Sequence, residues 1–227
     1  EPRTMVLKNH ILVITIFLAM LFTPTVSAGE LSPWTPKDAS SLNFEVLRNG
    51  KKFGYHNVSF KWEGEELVVN NEIELKVTLG PLKLYSYEHK SVERWKDGVL
   101  TSMKGKTKKE GEQLSMLAVK EGDQLSITGT GYEGMAPLSI IPSSHWNIRE
   151  IQSSEILSSE DGKILPVDIK RIGEETLKFE NGASLKTTRY RLISDLTADL
   201  WYDENGRWVK CQFSARGQNI EYILTTP

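Results

Sequence analysis

The chain has 227 residues, 26% of them charged, and a net charge of −2. That length suits one or two domains with a sizeable core, and the near-neutral balance leaves no basic footprint for nucleic acid. Its one cysteine, Cys211, excludes an intrachain disulfide framework.

Lys8 and His10 precede an apolar run over residues 11–22, and Val26-Ser27-Ala28 follows it. A basic start, a short apolar stretch and small residues at positions 26 and 28 are the order of a secretory signal peptide. The expected division is therefore 1–28 as signal peptide and 29–227 as a single exported β domain. Its location would be periplasmic or secreted, with no transmembrane span after processing. In an oxidising compartment Cys211 would be a lone thiol. It alternates in phase with Val209, Phe213 and Ala215, as a buried, inert cysteine does.

From residue 29 onward an extended lead-in carries Pro33, Trp34 and Pro36. Residues 42–48 and 51–62 flank Asn49-Gly50, a strong hairpin signal. Alternation continues over 66–79 and stops at Gly80-Pro81. A long aromatic strand over 82–95 follows, with Tyr85, Tyr87, His89, Glu93 and Trp95 on one side. Residues 99–109, 113–120 and 124–130 read as three more strands. Lys104, Lys106, Lys108 and Lys109 form a basic edge, read as a solvated face or as lysines that block edge pairing.

The rhythm breaks between Gly129 and Ser154, where Gly131, Gly134, Pro137 and Pro142 lie. Its first part, 129–147, is the expected mobile lip, and one short helical turn is expected near 148–152. Strands resume over 156–158, 165–172, 175–180 and 184–193, with Gly173 as a turn. The last stretch, 199–224, holds Asn205-Gly206 between two aromatic runs and a further turn at Arg216-Gly217. Asn205-Gly206 is expected to take positive φ at both residues. About a dozen strands without helical periodicity predict an all-β fold: an antiparallel, strongly curved sheet forming a barrel or half-open barrel.

Several of these segments together resemble a family of uncharacterised exported bacterial proteins classed as a domain of unknown function. The resemblance rests on Phe44-Glu45-Val46 with Asn49-Gly50-Lys51 and Gly54-x-His56, and on Tyr87-Glu88-His89 with Glu93-x-Trp95. It is completed by the loop Ser144-His145-Trp146-Asn147, by Leu200-Trp201-Tyr202-Asp203 with Gly206-x-Trp208-Val209-Lys210, and by Ile220-Glu221-Tyr222. It implies an exported, β-rich domain and supplies no activity. At the level of fold the pattern is also similar to half-open sheets that carry lipids or lipoproteins.

No catalytic motif survives inspection. Gly129-Thr130-Gly131-Tyr132-Glu133-Gly134 has dinucleotide-binding spacing, but that motif needs a following helix and Met135-Ala136-Pro137 follows here. His56, His89 and His145 lie on separate segments at no metal-ligand spacing, so neither a metal nor a cofactor is expected. The aromatics say more. Tyr85, Tyr87, His89, Trp95, His145, Trp146, Trp201 and Tyr202 are the candidate lining of an interior that accepts an apolar ligand. Trp146 has two readings: a lid over that ligand, or a permanent plug of the barrel end. The expected function is non-enzymatic binding of a small apolar or lipid-like molecule or of an envelope protein. Two alternatives stand beside it: a hydrolase or lyase built on His145 and a carboxylate, and a structural partner in an assembly.

Overall fold

The structure is a computed structural model that describes residues 33–79 and 82–226. The expected signal peptide and the Gly80-Pro81 break lie outside the described residues. Alternation of apolar and polar residues generates an antiparallel meander in two runs. The first comprises β1 (Ser41–Arg48), β2 (Lys51–Glu63), β3 (Glu66–Leu79), β4 (Leu82–Lys96), β5 (Val99–Lys109), β6 (Glu112–Glu121), β7 (Gln124–Gly129) and β8 (Glu133–Pro137). Between the runs lie β9 (Ile141–Pro142), β10 (Glu155–Leu157) and β11 (Ile164–Pro166), which form a small sheet of their own. A 3₁₀ turn at Ile148–Gln152 is capped by the Asn147 side chain, which accepts from the Arg149 N–H. The second run comprises β12 (Asp168–Lys178), β13 (Ser184–Ile193), β14 (Thr197–Asp203), β15 (Trp208–Ala215) and β16 (Gln218–Leu224).

The two runs join through their outer members. β16 pairs with β1, Val46 opposite Tyr222 and Phe44 opposite Leu224, so thirteen strands make one sheet that begins at β12 and ends at β8. Those two edge strands do not pair with each other. The result is the curved, half-open, barrel-like sheet expected from the sequence. Its inner face carries Phe44 and Val46, Val58 and Phe60, Leu125 and Ile127, and Ile220 and Leu224. The segment between β8 and β12 runs as a strap that fills the concavity and adds Ile140, Trp146, Ile148 and Leu157 to the core.

Four local expectations are corrected. Residues 129–147 are not a loose lip. Gly129 and Gly131 lie against the strap, where the Gly131 N–H donates to the Asp161 carbonyl and a Cβ on Gly129 would collide with it. These glycines serve close backbone approach. Gly173 does not turn the chain: β12 passes through it, and a bulge between Arg171 and Gly173 absorbs the irregularity. At Asn205-Gly206 only Gly206 has positive φ, 79°, and its N–H donates to the Asp203 carbonyl. The turn thus takes one left-handed residue, not two. Finally, the lysines of β5 are a solvated face and not a sheet edge. β5 is paired on both sides, and Lys104, Lys106 and Lys108 point outward into solvent.

Candidate functional site

β4 is the strand on which the candidate residues are threaded. Tyr87, His89, Ser91, Glu93 and Trp95 all face inward and are buried. Successive inward residues advance about 6.6 Å along a strand, so Tyr87 and Trp95 belong to opposite ends of the interior. The two ends differ in chemistry.

The Trp95 end is plugged. Glu93 is fully buried, and its carboxylate accepts from the indole N–H of Trp95 at 2.8 Å and of Trp146 at 2.9 Å. The Asn71 amide donates to its other oxygen at 3.2 Å. Burial raises the Glu93 pKa above the ordinary carboxylate value, and these donors hold it back. Trp146 is 4% exposed and meets Phe60 and Trp95 edge-on at 5.5 Å each. Of its two readings, the geometry is that of a plug.

A second buried carboxylate lies nearby. Glu150 takes the Nδ1–H of His145 at 3.0 Å and lies 2.6 Å from the Tyr202 hydroxyl. That hydroxyl also lies 2.8 Å from the His145 carbonyl. His145 has φ 63°, which aims the ring back at its own short helical turn. Burial pulls the His145 pKa down, but the Glu150 charge and hydrogen bond outweigh it and leave it raised. Behind this group His56 is packed between Phe44, Trp208 and Tyr222, and neither ring nitrogen has a hydrogen-bond partner among the described residues. Burial, helped by repulsion from His89 and His145, holds its pKa down at about 3. His89 has its Nδ1 2.8 Å from Thr107 Oγ1, and burial takes its pKa down to about 4. Both rings are therefore neutral at ordinary pH.

The Tyr87 end is open. A cleft of about 620 Å³ is lined there by Phe53, Leu75, Val77, Tyr85, Tyr87, Phe213, Ile220 and Tyr222. Leu84 and Leu196, about half exposed, extend its apolar wall to the mouth. Tyr87 donates to Glu160 of the strap at 2.7 Å, and Lys109 approaches the same carboxylate at 3.6 Å. Arg48 and Arg216 complete the lining at the rim.

The eight candidates are thus not brought together. Tyr85 and Tyr87 line the cleft. His89 sits one step inward, stacked on Tyr87 with ring centres 6.4 Å apart. Trp95, His145, Trp146 and Tyr202 belong to the plugged end. Trp201 lies on the other side of β14, beneath Arg189 and Lys210, with its indole N–H donating to Glu175. Sequence reasoning missed Phe53, Phe213 and Tyr222 as lining. Period-two alternation puts Phe53 on the outer face with Tyr55. It is the extra residue of a bulge between Val46↔Gly54 and Leu47↔Lys52, which turns it toward the cleft.

The model of a family described as a domain of unknown function, DUF6134, matches residues 44–225. The chain belongs to that family. A DUF6134 match of this extent covers the sheet from Phe44 within β1 to the end of β16, including both ends of the interior. No curated protein matches the sequence. Among solved structures, the chain is similar to one titled a beta-barrel-like protein of a domain of unknown function, DUF1849, from Brucella abortus. The two share 10% identity over 82% of this chain and 94% of that one, with a TM-score of 0.54. That likeness concerns the fold of the DUF6134 domain alone.

Proposed function

We propose that this domain is an exported, non-catalytic binder that holds an apolar molecule in the cleft at the Tyr87 end. The observation that carries the reading is the cleft itself: about 620 Å³, walled mainly by aromatic and aliphatic side chains, with a few polar groups at its rim. Such a composition is that of a small-molecule site. The order of basic, apolar and small residues over 8–28 supports export. Ala215 lines the cleft and is only partly buried where it packs against the core, so Ala215→Trp narrows the space while the fully buried core residues stay unchanged. Titration with an uncharged fluorescent naphthylamine should show saturable binding at one site, weakened in Ala215→Trp at an unchanged melting temperature. Equal titration curves for the two proteins would place the probe elsewhere and sink the reading.

A second reading, hydrolase or lyase, is favoured by one observation: His145 and Glu150 form a hydrogen-bonded acid–base pair, and the His145 side chain keeps 23% of its surface exposed. Neither residue lines the cleft. Turnover of an ester panel abolished by His145→Gln would establish it; activity that persists in that variant would exclude it.

A further inference from the structure

We propose that the occupant of the cleft is an anionic amphiphile: an acyl chain lies along the aromatic wall, and a carboxylate or phosphate head is taken by Arg48 and Arg216. The inference rests on the binding role assigned to the cleft above and adds the chemistry of its head group.

Charge at the rim is unbalanced. Arg48, Lys109 and Arg216 line the cleft against one lining carboxylate, Glu160, and Glu110 beside it pairs with Arg216, which leaves one cation in excess. Glu160 is already engaged by the Tyr87 hydroxyl and by Lys109. Arg48 has its guanidinium over the Phe53 ring at 5.7 Å, and no carboxylate is bound to it among the described residues. Arg216 lies over the Tyr85 ring at 6.0 Å. Phe53 and Tyr85 are themselves in contact, ring centres 5.6 Å apart. Two guanidiniums therefore flank one continuous aromatic wall. An amphiphile entering chain-first along that wall leaves its head between them. Guanidinium groups bind carboxylate and phosphate through paired hydrogen bonds.

The rim is also held in place. Three turns meet there, Asn49-Gly50, Glu110-Gly111 and Arg216-Gly217, each with positive φ at both residues. Asn49 and Asn219 exchange hydrogen bonds at 2.8 Å each, which clips the first turn to the third. Glu110 grips Arg216 through both oxygens, at 2.9 and 2.7 Å, and ties in the second. That ion pair is well exposed, so it positions Arg216 while remaining easily exchanged for an incoming anion.

The test uses the folded domain and four probes below their aggregation concentrations: palmitate, monohexadecyl phosphate, hexadecanol and hexadecyltrimethylammonium, each displacing the naphthylamine. Inorganic phosphate is a fifth arm. Palmitate or the alkyl phosphate should bind roughly tenfold or more tighter than the alcohol, as one or two charge-assisted contacts provide. Arg48→Gln with Arg216→Gln should erase that preference and leave the alcohol's affinity unchanged. Equal affinity for acid and alcohol, or preference for the ammonium, overturns the head-group assignment while the cleft reading stands. Inorganic phosphate binding as tightly as its alkyl ester overturns it in favour of a simple anion site. Binding of none of the probes, the naphthylamine included, removes both the cleft reading and this inference.

Discussion

At the scale of single residues, the costly groups are those in the interior. Trp146 fills space beside Phe60 and Trp95 and also supplies a donor to the buried Glu93. Trp146→Ala should cost about 3–5 kcal/mol as a buried aromatic truncation, measured by urea unfolding, with retention of a bound probe at the distant cleft unaffected. The histidines make the fold sensitive to acid. His56 and His89 have folded pKa values of about 3 and about 4, below the ordinary 6.5 they regain on unfolding. Below that ordinary value the unfolded chain binds protons that the folded one refuses, so stability is lost as pH falls toward the folded values. Each contributes a slope of up to about 1.4 kcal/mol per pH unit. Glu93 and His145, both raised, act with the opposite sign: each favours the folded state as pH falls through its raised value. His56→Phe suits a site walled by Phe44, Trp208 and Tyr222, and it should flatten the acid limb by about one proton's worth. Unfolding midpoints at a series of pH values from 7 to 4 read this directly. An unchanged slope would mean that the folded protein already protonates His56.

At the scale of elements, turns and close approaches decide what substitutions cost. Gly206 has φ 79° in the β14–β15 turn, whereas Asn205 does not have positive φ. Gly206→Val should destabilise by about 1–3 kcal/mol, and Asn205→Ala by much less, in thermal or urea unfolding. Gly129→Ala should cost as much as the former although its φ is not positive, because the added methyl meets the Asp161 carbonyl of the strap. Equal stability of the wild-type and Gly129→Ala proteins would show that the strap can move aside. The turns were the most legible feature of the sequence. Asn49-Gly50 and Arg216-Gly217 each mark a hairpin, because glycine there supplies a backbone shape that other residues resist. Bulges were not legible. They add a residue without changing composition, so alternation put Phe53 outside and broke β12 at Gly173. The short 3₁₀ turn at Ile148–Gln152 was foreseen, and a Trp146 plug was one of two readings, but the partner that fixes that plug was not foreseen. Nothing local encodes that Trp146 meets Glu93, 53 residues away.

For the whole molecule, the class of fold followed from periodicity, but the order of strands did not. Consecutive hairpins fix each neighbour along a meander, whereas the pairing of β1 with β16 depends on a long-range closure that turn chemistry does not announce. The cleft was hidden for the same reason, since its wall takes Phe53 and Tyr85 from one side of that closure and Phe213 and Tyr222 from the other. The long-range pairing of Phe44 with Leu224 implies slow folding for this size. The same pairing sets a direction. The Thr225 N–H donates to the Asn43 carbonyl at 2.8 Å, so the first and last described strands leave the sheet side by side, at the end of β1 away from Arg48 and the cleft mouth. Joining residue 225 to residue 33 by a flexible linker, which keeps the lead-in that holds Phe60 and Trp62, and opening the chain at Gly64-Glu65 should give a permutant with a near-native melting temperature. It follows that a tether attached through either strand, whether to a surface, a resin or another domain, would hang the molecule with its opening facing outward. Immobilised that way, it should capture a ligand from solution as freely as the untethered protein does.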